Sequence, residues 1–188
     1  MEPVKRELID LLNKNSVKTG KFTLSSGKES DFFIDCKQTI LSARGHLAAG
    51  RCMLAVVRSL FTEADAVAGV ELGGCPLASA VSVLSNTDGS GDGLPALYVR
   101  KSKKDHGTGQ LVEGKGSVAP GSKVVLLEDV VTTGGSSMRA VEALGAEGFD
   151  VVGVVALVDR EEGASEHFME QEVPFVPILT RQELLEHR

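Results

Sequence analysis

Two adjacent carboxylates, Glu128 and Asp129, stand between an apolar run and a turn rich in glycine and hydroxyl groups. The run at 124–127 (VVLL) is too short for a helix and apolar on both faces, as a buried parallel strand requires. The turn at 132–137 (TTGGSS) leads into a helical pattern, so its free N–H groups and the helix dipole suit a phosphate. Carboxylates at the end of the strand can accept hydrogen bonds from a ribose diol. The spacing therefore predicts a site for a phosphorylated sugar.

The plainer interpretation of this stretch is a strand-to-helix turn with a serine or threonine N-cap. For an arbitrary loop of glycine, serine and threonine, that interpretation would be the better one. The acidic pair weighs against it, because two neighbouring carboxylates at the mouth of a buried strand repel each other and a purely structural turn has little use for them. We therefore favour the ligand site.

A second stretch, residues 100–107 (RKSKKDHG), concentrates positive charge in a chain whose formal net charge is −6. The plain alternative is a solvated, charged hairpin tip. Against it, the glycines at 107 and 109 permit a hinge, and a loop that closes on an anion also excludes water from the site. Beside a site for ribose and phosphate, the anion that fits such a loop is pyrophosphate.

Two further positions have the chemistry to hold a flat, acidic ligand. Phe32 and Phe33 are neighbours in a predicted strand, so one packs inward while the other can meet a flat ligand. Arg160 follows a strand that ends at the same edge of the sheet as the acidic pair, and its guanidinium can bind a carboxylate with two hydrogen bonds. The alternatives are core packing for the phenylalanines and a surface ion pair with Glu161 or Glu162 for the arginine.

The elements that must position these residues alternate between strands and helices. The patterns predict helices at 4–14, 42–60 (with Ser42 as N-cap), 75–84 and 136–147, two short strands within 20–37, and strands at 66–70, 95–99, 123–128 and 151–158. Residues 85–94 and 100–122 read as loops. This order indicates an α/β protein with a doubly wound, mostly parallel sheet flanked by helices.

Length and composition limit the possible classes of protein. A chain of 188 residues with 42% hydrophobic and 24% charged residues is an ordinary globular chain that forms one domain. Its acidity (pI about 5.3) argues against nucleic acid as a partner. Three widely spaced cysteines (Cys36, Cys52 and Cys75) without a C-x-x-C pair favour a reducing cytoplasm. No signal peptide or apolar run of membrane-spanning length is present, so we expect no membrane partner.

The acidic pair and its turn resemble the phosphoribosyl-pyrophosphate (PRPP) signature of the type I phosphoribosyltransferase family. Three more segments are similar to the members that use orotate: F-T-L-x-S-G-K-x-S-x-F-F-x-D at 22–35, R-K-x-K-K-D-H-G at 100–107, and V-D-R at 158–160. The resemblance implies one phosphoribosyltransferase domain over 1–188, with a small N-terminal hood at about 1–40 and a core at about 41–188. It also implies transfer of phosphoribosyl from PRPP to orotate in pyrimidine synthesis.

The same resemblance assigns roles to individual residues. The implied PRPP-binding residues are Arg100, Lys101, Lys104, His106, Glu128, Asp129, Thr132, Thr133, Gly134, Gly135 and Ser136. The implied orotate-binding residues are Ser26, Phe33, Thr132 and Arg160, and the implied catalytic residues are Lys104, His106 and Asp129. The implied cofactor is Mg²⁺, held through the pyrophosphate of PRPP and not directly by the protein. The implied partner is a second copy, in a homodimer whose 100–110 loop acts on the neighbouring subunit's site.

The chain departs from the family pattern at two positions. Many members have lysine where this chain has Ser25, and many have lysine in the loop after the strand at 66–70, where this chain has Gly73. We expect Lys28 to compensate for the first loss and backbone N–H groups of Gly73 and Gly74 to make the contact in the second. Two other functions remain open: a purine-type phosphoribosyltransferase, and a non-catalytic regulator of the same fold that senses PRPP.

The basic segment yields a first prediction. We expect Lys104→Ala to lower kcat by about a hundredfold or more, because it removes one preorganised cation that acts on the departing pyrophosphate in the transition state. Steady-state kinetics with PRPP and orotate measure the change. Near-normal turnover would contradict the role given to this loop.

Overall fold

The computed structural model describes residues 2–23, 29–87, 89, 93–102 and 110–188. Its helices are α1 (Glu2–Asn15), α2 (Lys37–Ile40), α3 (Ala43–Leu60), α4 (Gly74–Thr87), α5 (Gly135–Ala146), α6 (Ala164–Glu170) and α7 (Arg181–Glu186), with a 3₁₀ turn at Lys115–Ser117. Its strands are β1 (Val17–Thr23), β2 (Glu29–Ile34), β3 (Ala66–Val70), β4 (Ala96–Val99), β5 (Val112–Glu113), β6 (Lys123–Val131), β7 (Asp150–Asp159) and β8 (Phe175–Thr180).

A six-stranded sheet forms the centre, in the order β5-β4-β3-β6-β7-β8. Five strands are parallel, whereas the edge strand β5 pairs antiparallel with β4. The predicted doubly wound, mostly parallel sheet is therefore confirmed. The chain runs from β3 outward to β4 and returns to β6 on the other side of β3, so the winding reverses between β3 and β6. In sheets of this kind, ligands bind beyond the carboxyl ends of the strands at that reversal.

Both faces of β6 are buried, as its unbroken apolar run predicted. Val125 and Leu127 face one core, which includes Leu8 of α1, Met53 of α3 and Leu77 of α4. Alternate residues of the strand, with Leu126 among them, face a second core that contains side chains of α5 and α6. Helices on both faces thus hold the strand that carries the acidic pair in the middle of the molecule.

Strands β1 and β2 form a separate, two-stranded antiparallel sheet, in which Val17 lies opposite Ile34. The two short strands predicted within 20–37 are confirmed, and the first begins earlier, at Val17. The helix predicted at 42–60 is also confirmed: the Ser42 hydroxyl accepts a hydrogen bond from the backbone N–H of Gly45. This hydroxyl therefore caps α3 in the way that the sequence indicated.

Two predicted boundaries were wrong. The strand predicted to end at residue 128 continues to Val131, so the acidic pair lies within β6 and not after it. The reason is that β7 goes on pairing with β6 as far as Val131, whereas β3 stops opposite Leu127. The predicted loop at 100–122 also contains regular structure, because Val112 of β5 pairs with Val99 and is fully buried.

In the part of the chain that the structure describes, no helix combines the length and apolarity needed to cross a membrane.

Candidate functional site

The acidic pair lies at the point where β3 has ended and β6 continues, which is the reversal in the sheet. The turn after β3 closes tightly against it: a Cβ added at Gly73 would overlap the carboxylate of Asp129, and one at Gly74 would lie 2.5 Å from the carbonyl oxygen of Leu127. No side chain fits at position 73 while Asp129 keeps this position. The backbone of the 71–74 turn is thus brought directly to the acidic pair, and the predicted contact of its N–H groups with a ligand stays a prediction.

Glu128 is almost fully buried, with 5% of its surface exposed. The pKa of its carboxyl is raised well above the ordinary value of 4.5, first by burial and then by the negative charge of Asp129. Lys101 and a hydrogen bond of 3.4 Å from the Ser137 hydroxyl to Oε2 act in the opposite direction. The free protein therefore holds a strained pair of carboxylates, in which ionisation of Glu128 is disfavoured.

The turn that follows begins helix α5 without a side-chain cap. The N-cap residue is Gly134, with φ of 83°, and among the described residues no side chain donates or accepts a capping hydrogen bond there. The alternative of a plain serine or threonine N-cap is therefore wrong for this turn. Thr133 and Ser136 are exposed, and the first N–H groups of a helix have no intrahelical partner. The geometry of the turn suits an anion such as phosphate.

Arg160 lies beside the end of β6, since its backbone N–H donates to the carbonyl of Val131 at 2.9 Å. Its side chain is 12% exposed, and Nη2 forms an ion pair of 2.6 Å with Oε1 of Glu162. The surface ion pair considered from the sequence is thus present in the free protein. Nε of Arg160 is buried and has no hydrogen-bond partner among the described residues, so the guanidinium has a free donor at the sheet edge.

The two phenylalanines of β2 face opposite sides, as predicted. Phe32 is 1% exposed and lies in the core, whereas Phe33 is 38% exposed. Phe33 is therefore available to a ligand, while Phe32 stabilises the fold.

The described part of the basic segment is anchored to the turn after β3. The backbone N–H of Lys101 donates to Oε2 of Glu71 at 3.1 Å, and the backbone N–H of Glu71 donates to the carbonyl of Val99 at 2.8 Å. Arg100 and Lys101 line an open pocket together with Ser136 and Arg139 of α5. Lys104, His106 and Ser26, which the sequence singled out, lie outside the described residues.

Three charged residues near this site did not emerge from the sequence. Arg139 follows Ser136 by three positions, so helical spacing already places the two on one face. Glu71 lies in the turn directly after the predicted strand at 66–70. Lys37 follows Asp35 by two positions at the start of α2, and its charge interacts with that of Asp129.

The described residues contain no group of three or more histidine, cysteine, aspartate or glutamate side chains that could hold a metal ion. Two neighbouring carboxylates offer the oxygen ligands that Mg²⁺ prefers, but too few for a site made by protein alone. The donor set therefore fits Mg²⁺ that arrives with the phosphate oxygens of a ligand.

Comparison with known proteins agrees with this geometry. Residues 39–175 match the family model described as the phosphoribosyl transferase domain. The orotate phosphoribosyltransferase of Sorangium cellulosum is 51% identical over 181 residues, which are 96% of this chain and 93% of that protein. The crystal structure of the Mycobacterium tuberculosis orotate phosphoribosyltransferase with Fe(III) dicitrate has a TM-score of 0.81 and 35% identity, and the match covers 97% of this chain and 99% of that one. A structure of the same M. tuberculosis enzyme with PRPP has a TM-score of 0.78 and 31% identity, and the match covers 97% and 99% of the two chains.

The chain therefore belongs to the phosphoribosyltransferase family, and within it to the orotate phosphoribosyltransferases. The resemblance inferred from four short segments is confirmed over nearly the whole chain.

The buried acidic pair yields a second prediction. Folding raises the pKa of Glu128 above its ordinary value of 4.5. As the pH rises past 4.5, the carboxyl ionises readily in the unfolded chain but not in the folded protein, so the free energy of unfolding decreases. Glu128→Gln removes this cost, so the free variant melts higher than wild type at pH 7, by about 2–4 °C for each kcal/mol recovered. The advantage shrinks towards pH 4, where Glu128 is mostly neutral in the unfolded chain as well.

Calorimetric melting of both proteins at pH 7 and pH 4 measures this difference. Glu142→Gln, an exposed position on α5, is the matched control, and its melting temperature follows that of wild type at both pH values. A Glu128→Gln variant that melts lower than wild type at pH 7 would contradict the strained acidic pair.

Proposed function

We propose that this chain is a pentosyltransferase that moves the 5-phosphoribosyl group from PRPP to N1 of orotate. The products are orotidine 5′-monophosphate and pyrophosphate, a step of de novo pyrimidine (UMP) biosynthesis. The observation that carries the proposal is the acidic pair at the reversal of the sheet, with the phosphate-binding turn on one side and Arg160 on the other. The three free cysteines are compatible with a reducing cytoplasm as the location.

PRPP lies across the carboxyl ends of β3 and β6 in this proposal. The backbone and hydroxyls of residues 132–136 hold the 5′-phosphate, because they precede a helix of twelve residues whose dipole favours an anion. Glu128 and Asp129 accept hydrogen bonds from the ribose hydroxyls. Those hydroxyls give the two carboxylates hydrogen-bond donors from the ligand, which offsets part of their repulsion.

The reaction needs no protein nucleophile. The bond between C1 of the ribose and the pyrophosphate oxygen breaks, and its electron pair leaves with pyrophosphate. N1 of orotate forms the new bond to C1, and the proton of N1 passes to solvent water. Positive charge builds on the ribose ring and negative charge on the leaving group. Asp129 stabilises the first, and Arg100, Lys101, Lys104 and His106 stabilise the second, so catalysis is mostly positioning and electrostatics.

Arg160 is the residue that selects the base. Its free Nε and the Nη2 now paired with Glu162 form a fork that matches a carboxylate. Orotate carries a carboxylate on its ring and the purine bases do not. Phe33 offers an exposed ring for stacking, and Ser26 and Thr132 complete the proposed base pocket.

Mg²⁺ is the proposed cofactor, bound through the pyrophosphate of PRPP, where it would neutralise charge on the leaving group. Of the residues at this site, Glu128 and Asp129 have the carboxylate oxygens that Mg²⁺ prefers as ligands.

One assay separates the proposed function from its alternatives. With PRPP and Mg²⁺, we expect the protein to consume orotate and release pyrophosphate, and to leave adenine and xanthine unchanged.

Because the base pocket recognises a carboxylate, Arg160→Leu raises the KM for orotate by about tenfold or more, the effect of losing a charge-assisted hydrogen bond.

Product with a purine base but not with orotate would favour the purine-type enzyme. Binding of PRPP without turnover of any base would favour a regulator. Omission of Mg²⁺ in a parallel reaction tests the proposed cofactor.

We also propose that the chain acts as a homodimer through an apolar face of α3, α4 and β4. Leu47 and Val83 line one groove between the helices and are 41% and 66% exposed. Exposed Tyr98 adjoins it through a hydrogen bond between its hydroxyl and that of Ser79. The basic segment starts two residues after Tyr98, so a second copy seated on this face would lie next to that segment.

Mixed dimers test whether the basic loop acts on the neighbouring site. Lys104→Ala and Asp129→Asn are each expected to be nearly inactive alone, because every site then lacks one essential group. Unfolding and refolding the two together should restore about a quarter of wild-type activity, since half of randomly formed dimers are mixed and each of these has one intact site of two. If the loop acts within its own subunit, the mixture stays inactive.

A further inference from the structure

Glu161, the residue directly after Arg160, has a backbone conformation that is unusual for its residue type. Its φ angle is 58°, in the left-handed region. A residue other than glycine is strained there, and the conformation persists only where its surroundings hold it. Because Glu161 is exposed, packing in the core does not hold it, and hydrogen bonds have to.

Two hydrogen bonds fix this conformation, one from the backbone and one from the side chain. The backbone N–H of Glu161 donates to Oδ1 of Asp159 at 2.8 Å, and its carboxylate oxygen Oε2 accepts from the backbone N–H of Gln182 at 2.9 Å. Asp159 is buried, with 4% of its surface exposed, and a buried carboxylate needs such a donor. The turn after β7 is thus tied both to the end of its own strand and to the first turn of α7.

The start of α7 is itself held in place by several side chains. Thr180 and Glu183 form a capping box: the Thr180 hydroxyl accepts from the backbone N–H of Glu183 at 3.1 Å, and Oε2 of Glu183 accepts from the backbone N–H of Thr180 at 2.8 Å. The other carboxylate oxygen of Glu183 pairs with Nζ of Lys5 in α1 at 2.8 Å, and Leu184 is fully buried. The helix that meets Glu161 is therefore a fixed support.

The same helix start is also joined to the strand that carries Phe33. Nη2 of Arg181 forms an ion pair of 2.7 Å with Oδ1 of Asp31, and its guanidinium carbon lies 5.6 Å from the ring centroid of Phe32. Phe33 is the next residue of β2. One short helix thus contacts both elements to which the proposed function assigns recognition of the base, the turn with Arg160 and the strand with Phe33.

These contacts fix the backbone on both sides of Arg160. Its own N–H donates to the carbonyl of Val131 at 2.9 Å, and the residue after it is held by the two hydrogen bonds of Glu161. The direction in which the Arg160 side chain leaves the backbone is therefore set before any ligand binds. Two parallel hydrogen bonds to a carboxylate require the guanidinium to be placed accurately, so this direction matters for binding.

We propose that Glu161 is a positioning residue for recognition of the base: by binding the start of α7, its carboxylate holds the turn that aims Arg160 at the carboxylate of orotate. This proposal rests on the proposed function, because it concerns the orotate pocket of that enzyme. A merely structural role has a different kinetic effect. It changes stability and the amount of active protein, and with them kcat, but it leaves the KM for orotate unaltered.

Steady-state kinetics of two substitutions that both remove the charge of Glu161 isolate its hydrogen bond. Glu161→Gln keeps a side-chain oxygen that can accept from the N–H of Gln182, so we expect its KM for orotate to stay within about twofold of wild type. Glu161→Ala has no such acceptor. Its KM for orotate rises by about fivefold or more, the effect of losing one hydrogen bond, while its KM for PRPP stays within about twofold.

Glu172→Ala is the matched control, because Glu172 is also an exposed glutamate with a left-handed backbone, with φ of 56°, in the turn between α6 and β8. We expect wild-type KM values for both substrates in this variant. Glu161→Gly likewise lacks the acceptor, but glycine adopts a positive φ without strain. It therefore shows the rise in the KM for orotate even if the alanine variant does not fold, which circular dichroism reveals.

An unchanged KM for orotate in the folded alanine or glycine variant would overturn the proposal. An equal rise in Glu161→Gln, or a parallel rise in the KM for PRPP, would overturn it as well, because neither follows from a lost hydrogen bond at the base pocket. Absence of orotate turnover by the wild-type protein would instead contradict the proposed function, and this role with it.

Discussion

The repulsion between two adjacent carboxylates in a buried strand is the constraint on which the rest of the site depends. Glu128 is nearly sealed from water, and both burial and the charge of Asp129 oppose its ionisation. A fold would not keep such a pair for stability, since an uncompensated buried charge is destabilising. In the proposed complex with PRPP the ribose hydroxyls donate hydrogen bonds to the pair, and in the free protein the positive charge of Lys101 offsets part of the cost of ionising Glu128.

The topology of the sheet decides where this pair can be used. The reversal between β3 and β6 opens a crevice at the carboxyl ends of the strands, and β6 runs on beyond the end of β3. Glycines then let the neighbouring backbone approach: a Cβ at Gly69 would overlap the carbonyl of Gly74, and one at Gly73 would overlap Asp129. The turn after β3 thus reaches the acidic pair at Asp129, and the start of α5 reaches it through the hydrogen bond from the Ser137 hydroxyl to Glu128.

The alternation of apolar runs and helical patterns was enough to predict the sheet, because burial on both faces leaves a strong signal in β3, β6 and β7. The predicted end of β6 was three residues early, because the two carboxylates were taken to mark the end of the strand. The strand continues because it pairs with β7, and the sequence around residue 128 contains no sign of that pairing. The short β5 was missed for the same reason: its two residues are fixed by pairing with β4 and not by their own propensity.

The site was predicted where its residues are neighbours in sequence, as in Glu128, Asp129 and the turn after them. Residues that reach the site from elsewhere carry no such signal. Glu71 meets the backbone of Lys101 only because β3 and β4 are paired, although the two residues lie far apart in sequence. The ion pair between Arg160 and Glu162 shows the opposite case, in which two residues close in sequence interact directly and could be paired from the sequence alone.

In the proposed complex, the acidic pair binds the ribose and the turn after it binds the phosphate. Calorimetry of the Glu128→Gln/Asp129→Asn double variant with ribose 5-phosphate and with inorganic phosphate tests this division directly. We expect the affinity for ribose 5-phosphate to fall by about tenfold or more, while the affinity for inorganic phosphate stays within about twofold of wild type. Equal losses for both ligands, or no loss for either, would contradict it.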